Sequence, residues 1–101
     1  MRRRTDENQQ AVIATLRKHG VSVAVLSSVG FGVPDIMAGF NGVNYLFEVK
    51  NLNGRGARLT DAENEFLRTW QGAAHVVFSA EDALRILGIT EGENVSKERT
   101  N

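Results

Sequence analysis

The sequence of 101 residues contains no cysteine, only one proline and no excess of either charge. Without cysteine the protein has no disulfide framework and no thiolate metal site. No stretch approaches the roughly 20 consecutive apolar residues that a membrane span requires. The first ten residues, MRRRTDENQQ, also lack the apolar run of a secretory signal. We therefore expect a cytoplasmic protein without a membrane partner.

The charges balance, with 12 Lys and Arg against 12 Asp and Glu. This balance counts against a nucleic-acid binder, because such proteins generally carry a basic surface. The arginines are nevertheless clustered: Arg2, Arg3 and Arg4 form an N-terminal arm, and Arg55 and Arg58 lie in a glycine-rich loop. Each is a candidate for contact with DNA phosphates, and the alternative for each is an ordinary solvated side chain.

The length and the residue patterns predict one domain over residues 1–90, followed by a polar and flexible tail over 91–101. Thr5 and Gly20 are expected to cap and end a first helix, and residues 21–26 have the pattern of a strand. Further strands are predicted at 36–40, 43–49 and 75–78, with helices from Thr60 to about Gln71 and from Ser79 to Gly88. The predicted order is α-β-β-β-α-β-α, an α/β fold around a mixed sheet.

Asn41-Gly42 separates the second and third strands and is a strong hairpin signal, because both central residues of a type I′ turn need positive φ. A two-residue loop fixes the register, so that Phe40 should face Val43 and Ile36 should face Phe47. One face of this hairpin should therefore be apolar from end to end and belong to the core. The predicted face consists of Ile36, Ala38, Phe40, Val43, Tyr45, Phe47 and Val49.

The same register places Asp35 opposite Glu48, with their Cβ atoms about 4.5–5.5 Å apart. Lys50 lies two residues beyond Glu48 and shares its face. Facing carboxylates repel each other, so a purely structural hairpin has little reason to contain them. Mg²⁺ or Mn²⁺ would remove the repulsion, since such ions are held by one or two carboxylates together with water and substrate phosphate. The alternative is three solvated residues at strand ends.

These residues belong to a longer pattern. Gly32-Val33-Pro34-Asp35-Ile36, followed by Phe47-Glu48-Val49-Lys50, resembles the signature of the PD-(D/E)XK nucleases. The segment 32–88 looks more closely like the stand-alone VRR-NUC group common in phages, through GVPDIMAGFNG, FEVK, the RLT helix start and VVFSAEDALRILG. The resemblance implies a restriction-endonuclease-like core with a mixed central sheet.

The resemblance also implies roles for individual residues. Asp35 and Glu48 would bind the metal with the Val49 carbonyl as a further ligand, and Lys50 would serve the attacking water. The family places an acidic residue on its first helix, which would be Glu7 here. The alternative for Glu7 is a charge that complements the helix dipole.

Glu63 is a departure, because family members often carry glutamine in this helix. We favour a capping-box role for Glu63 with Thr60, and the alternative is entry into the site as a second-shell group that alters the metal stoichiometry. The helix that starts at Thr60 is expected to supply Ala62, Phe66, Leu67 and Trp70 to the core, so Trp70 is predicted to be a core residue and not a base-stacking platform. Gly30-Phe31-Gly32 is a poor phosphate loop, because it precedes a strand instead of opening a helix.

The expected function is a metal-dependent endonuclease that hydrolyses DNA phosphodiester bonds in the cytoplasm of a bacterial or phage-infected cell. The resemblance suggests branched substrates such as four-way junctions, and a homodimer. The first alternative is a catalytically silent nuclease fold that serves as a DNA-binding or interaction module. The second is a nuclease of other specificity, either nicking or RNA-directed.

Overall fold

A computed structural model of the chain describes residues 4–52 and 57–90. Its elements are α1 (Arg4–Lys18), β1 (Ser22–Val25), β2 (Ile36–Phe40), β3 (Val43–Val49), α2 (Asp61–Thr69), β4 (Ala74–Val77) and α3 (Ala80–Leu87). The predicted element order is confirmed. The predicted flexible tail, residues 91–101, lies outside the described residues.

The four strands form one mixed sheet in the order β1-β2-β3-β4. β2 pairs antiparallel with both β1 and β3, whereas β3 and β4 pair parallel. The connection between β3 and β4 therefore has to cross over the sheet, and it contains α2. A mixed α/β fold is the result, as predicted.

The hairpin of β2 and β3 has the predicted register. Ile36 pairs with Phe47 and Phe40 pairs with Val43. Asn41 and Gly42 have φ values of 51° and 80°, the positive values that a type I′ turn requires. Because the turn fixes the register, it also determines which side chains leave each face of the sheet near Asp35.

The core lies between one face of the sheet and the pair α1 and α3, which contact each other and the sheet. The helices and strands alike supply fully buried apolar side chains. The core residues are Val12, Ile13, Leu16, Val21, Ile36, Ala38, Phe47, Val49, Val77, Ala83, Leu84 and Leu87. The side chains of β3 alternate between faces, so Glu48 and Lys50 lie on the face opposite to Phe47 and Val49.

Three expectations were wrong. Thr5 does not cap the first helix, because α1 already includes Arg4. The apolar face of the hairpin is not buried throughout, since Val43 at its turn end is 46% exposed, beyond the reach of the core. Trp70 is not a core residue: it is 49% exposed and stacks on Phe66 at a ring distance of 4.8 Å.

The predicted core contribution of α2 is also wrong, because none of its residues is buried. This helix is amphipathic, but it lies outside the cluster formed by the other two helices and the sheet. Its N-terminus, and not its apolar face, makes the contacts that matter for the site below. Within the described residues, none of the helices has the length and hydropathy needed to cross a membrane.

Candidate active site

Asp35 is held at the entry to β2 by two backbone contacts. Its Oδ2 accepts a hydrogen bond of 2.8 Å from the Val49 N–H, and its carbonyl accepts one of 2.7 Å from the Leu26 N–H. Pro34, immediately before it, is buried. The carboxylate is therefore fixed against the end of β3, across from Glu48 as the register predicts.

Glu48 is the one charged residue in the buried set of the described chain, with only 3% of its surface exposed. The Nζ atom of Lys50 lies 3.6 Å from Glu48 Oε2. Both side chains project from the same face of β3, because residues two apart on a strand share a face. Asp35, Glu48 and Lys50 thus lie together at one end of the sheet, as the sequence spacing and the hairpin register predicted.

Glu63 forms the predicted capping box and also contacts Lys50. Its Oε1 accepts a hydrogen bond from the Thr60 N–H at 2.9 Å, and the Thr60 side chain accepts one from the Glu63 N–H, which completes a capping box. The same Oε1 lies 2.8 Å from Lys50 Nζ. One oxygen therefore joins the start of α2 to the catalytic candidate Lys50.

Gly32 explains how α2 comes so close. A Cβ atom at this position would overlap the Ala62 carbonyl and lie 3.0 Å from the Glu63 backbone nitrogen. Gly32 also has a φ of 81°, which residues with a side chain rarely adopt. The loop before Asp35 thus packs against the first turn of α2, and this contact places Glu63 beside Lys50.

Burial and the neighbouring carboxylates make ionisation of Glu48 unfavourable. Burial raises the pKa of Glu48 most strongly, the charges of Asp35 and Glu63 raise it further, and Lys50 only partly compensates, so that it reaches about 8. Burial also raises the pKa of Asp35, although the Val49 N–H and the Lys50 charge act in the opposite direction. A carboxyl group at this position retains its proton near neutral pH unless further positive charge is supplied.

At Lys50 and Glu63, in contrast to Glu48, the surroundings favour the charged form of each side chain. Burial lowers the pKa of Lys50, but its hydrogen bond to Glu63 and the surrounding negative charges outweigh burial and leave that pKa above its usual value. Burial raises the pKa of Glu63, and hydrogen bonds from Lys50 and Thr60 outweigh it, so the pKa of Glu63 is lowered. Lys50 is consequently a cation at neutral pH, and it can donate hydrogen bonds but cannot accept a proton.

Asn8 is a site residue that the sequence reasoning missed. Its Nδ2 donates to the Lys50 carbonyl at 3.1 Å and to the Phe78 carbonyl at 3.5 Å, which ties α1 to the ends of β3 and β4. A signal was available, because Asn8 falls on the same helical stripe as the buried Val12 and Leu16. A polar residue in line with core positions needs a partner.

No contact with Asp35, Glu48 or Lys50 is described for the remaining predicted site residues. Glu7 is exposed on α1, one residue before Asn8, and Arg58 is exposed after the glycine-rich loop. Arg4 is the first residue of α1. The predicted DNA contacts Arg2, Arg3 and Arg55 lie outside the described residues.

The donor set is compatible with Mg²⁺ or Mn²⁺. In the described part of the chain no group of three or more His, Cys, Asp and Glu side chains is arranged as a metal site. A full set of protein ligands is not needed, because Mg²⁺ is usually held by one or two carboxylates and retains several waters. Asp35 and Glu48 supply two such carboxylates, and the Val49 carbonyl adjoins them along the strand.

Comparison with known proteins adds no relative, since no protein-family model, curated protein or solved structure matches this chain.

Proposed function

We propose that this protein is a divalent-metal-dependent endonuclease that hydrolyses DNA phosphodiester bonds at the site formed by Asp35, Glu48 and Lys50. The observation that carries the proposal is the buried Glu48, next to Asp35 and 3.6 Å from the Lys50 ammonium. The resemblance to the VRR-NUC group of the PD-(D/E)XK nucleases agrees with this arrangement. On that resemblance we assign the sheet and helices to a restriction-endonuclease-like core.

The charge of the site supports a metal requirement. Asp35, Glu48 and Glu63 bring three carboxylates around the single ammonium of Lys50. When all are ionised, the excess is negative and repels a phosphodiester, which is itself an anion. A divalent cation held by Asp35 and Glu48 would neutralise this excess and relieve the mutual repulsion of the two carboxylates. The arrangement is unfavourable without a metal and favourable with one.

Each residue then has a defined role. Asp35 and Glu48, with the Val49 carbonyl, would hold Mg²⁺ or Mn²⁺, and the bound ion would polarise a phosphoryl oxygen and lower the pKa of water. Lys50 donates hydrogen bonds to the attacking water or to a phosphate oxygen and offsets the charge that develops there. Water attacks phosphorus and loses a proton to the solvent, one P–O ester bond breaks, and the departing oxygen takes up a proton from the solvent, so that the products are a phosphomonoester and a free hydroxyl.

Glu63 keeps Lys50 directed into the site. Without a partner at 2.8 Å, a lysine side chain has many accessible rotamers, and its charge would be spread over a larger volume. A hydrogen-bonded lysine is already in place when substrate arrives, and such positioning is a general source of rate enhancement. Glu63 is therefore a positioning residue and not a catalytic one.

The finer assignments rest on the resemblance alone. Branched DNA such as a four-way junction is the proposed substrate, and a homodimer is the proposed assembly because paired incisions need two sites. The proposed setting is the cytoplasm of a bacterial or phage-infected cell.

The test is cleavage of labelled four-way-junction, flap, linear duplex and single-stranded DNA in Mg²⁺, Mn²⁺ or EDTA. Wild type is compared with Lys50→Ala and with Lys18→Ala, a matched control at the exposed end of α1. We expect metal-dependent cleavage by wild type and by Lys18→Ala, and its loss in Lys50→Ala.

Three results would count against the proposal. Cleavage that persists in EDTA, or that is equal in Lys50→Ala, would remove Lys50 and the metal from the reaction. Binding of DNA by wild type without cleavage in either metal would favour the catalytically silent binding module. Cleavage of only one strand of a duplex would retain the site and change its specificity to nicking.

A further inference from the structure

A tight turn carries the most exposed aromatic side chain in the described part of the chain. Phe31 is 91% exposed. The Val33 N–H donates to the Gly30 carbonyl at 3.1 Å, so residues 30–33 form a turn with Phe31 and Gly32 as its central pair. Their φ values are 57° and 81°, the positive pair that a type I′ turn requires.

Phe31 is a poor choice for the stability of this turn. Positive φ is rare for a bulky side chain, and Asn, Asp or Gly normally occupies such a position. The ring also gains nothing from burial, since almost all of its surface remains in contact with water. Neither the local backbone nor the core accounts for a phenylalanine here.

The turn has a fixed position beside the proposed active site. Gly32, the next residue, packs against the Ala62 carbonyl and the Glu63 backbone nitrogen. Glu63 in turn contacts Lys50 at 2.8 Å. Phe31 is therefore adjacent to Gly32, whose backbone contacts the start of α2. Because this contact fixes the turn, the Phe31 ring projects from a fixed position.

We propose that the Phe31 ring stacks on an unpaired nucleobase of the DNA substrate, next to the phosphodiester that is cleaved. The inference rests on the proposed nuclease function and adds to it the residue that contacts an unpaired base of the substrate. Aromatic rings stack on the faces of bases, and these faces are covered by neighbouring bases within a continuous duplex. A ring at the tip of a narrow turn fits a base exposed at a branch, a gap or a strand end.

A second copy of this chain is a less suitable occupant. A stable protein interface buries on the order of 800 Å² on each partner, and a single projecting ring supplies a small part of that. Val29, on the same loop, is only half exposed. A nucleobase requires one ring face and no surrounding apolar surface.

The experiment measures binding of fluorescently labelled DNA by anisotropy in Ca²⁺, in which we expect binding without efficient cleavage. The DNAs are a duplex with a single-stranded branch, the fully paired duplex, and branched DNAs with an abasic site at successive unpaired positions. The variants are Phe31→Trp, which keeps an aromatic ring, and Phe31→Leu, which keeps apolarity without one. Val43→Thr is the control, since Val43 is also exposed but lies five residues from Glu48 at the other end of β3.

We expect Phe31→Leu to bind the branched DNA roughly 5- to 150-fold more weakly than wild type, the range of one lost base stack. Phe31→Trp and Val43→Thr should bind as wild type does. At one position an abasic site should weaken wild type by a similar factor and leave Phe31→Leu unchanged, because the two changes remove the same contact. Phe31→Asn should lose affinity and yet melt at or above the wild-type temperature, since Asn is better suited to positive φ.

Equal binding by Phe31→Leu and wild type, in a protein that still cleaves DNA in Mg²⁺, would overturn this inference and leave the proposed function standing. A fall in sedimentation mass in Phe31→Leu that accounts for the lost affinity would assign the ring to a second copy instead. Failure of wild type to bind or cleave any DNA would overturn the proposed function, and this inference with it.

Discussion

Replacing Glu48 by glutamine should stabilise the metal-free protein, although it removes a buried and hydrogen-bonding side chain. The carboxyl group has a pKa raised from 4.5 to about 8 by burial and by the charges of Asp35 and Glu63. Between these two pH values the folded protein retains a proton that the unfolded chain has released. The free energy of unfolding therefore decreases as the pH rises from about 4.5 to about 8.

The magnitude follows from the pKa shift. Each unit corresponds to about 1.4 kcal/mol, so at pH 7 the shift of Glu48 destabilises the folded state by about 3 kcal/mol, and at pH 5 by less than about 1 kcal/mol. Glutamine has the same shape and no charge. In EDTA we expect Glu48→Gln to be more stable than wild type by about 2–3 kcal/mol at pH 7, and by much less at pH 5.

The assay is denaturant unfolding of both proteins at pH 5, 6, 7 and 8, in EDTA and in Mg²⁺. Glu65→Gln is the matched control, because Glu65 is an exposed residue of α2 that pairs with Arg68. Mg²⁺ should stabilise wild type and the control, through binding to the folded state, but not Glu48→Gln. A Glu48→Gln protein that is less stable than wild type in EDTA at pH 7 would refute the reasoning.

Two further predictions concern the position of α2. Gly32→Ala should destabilise the protein by about 2–4 kcal/mol, since it adds a collision with the α2 backbone to the strain of positive φ. Gly30→Ala should cost only the strain, about 1–2 kcal/mol, because no atom lies within 4 Å of its Cβ position. Equal melting temperatures of the two variants would contradict the close approach of Gly32 to α2. Thr60→Ala should remove about 1 kcal/mol of stability from the helix cap and leave kcat nearly unchanged. Glu63→Ala should also lower kcat about tenfold, because it removes the contact with Lys50. Equal kcat values of the two variants would mean that Glu63 only caps α2.

Much of the fold could be predicted because its determinants are local. Asn41-Gly42 fixes the hairpin register through two adjacent φ angles. Thr60 and Ser79 accept hydrogen bonds from residues three positions ahead, so each helix start can be recognised within four residues. The register in turn brought Asp35 and Glu48 together, and the candidate site followed from it.

What could not be predicted depends on contacts between residues distant in sequence. The packing of Gly32 against Ala62 joins a loop to a helix thirty positions later, and nothing in the local pattern of either segment reveals it. The sequence therefore left two interpretations of Glu63 open, and its contact with Lys50 beside the capping box could be seen only in the three-dimensional structure. Hydrophobic periodicity also misplaced α2 in the core, because an amphipathic pattern does not show which surface the helix meets.

The exposure of Phe31 is a second feature that the sequence did not predict. Its neighbours Gly30 and Gly32 could be identified as turn residues from the sequence. Its 91% exposure could not be predicted, because a phenylalanine is more often buried than exposed.

The rate of DNA cleavage as a function of Mg²⁺ concentration tests the central claim most directly, measured for wild type, Glu48→Gln and Glu65→Gln. The account predicts saturable, Mg²⁺-dependent cleavage by wild type and Glu65→Gln. It predicts a loss of at least about 100-fold in Glu48→Gln, because a neutral amide neither balances the cation nor completes its carboxylate pair. Cleavage by Glu48→Gln at the wild-type rate and Mg²⁺ dependence would contradict the assignment of this site.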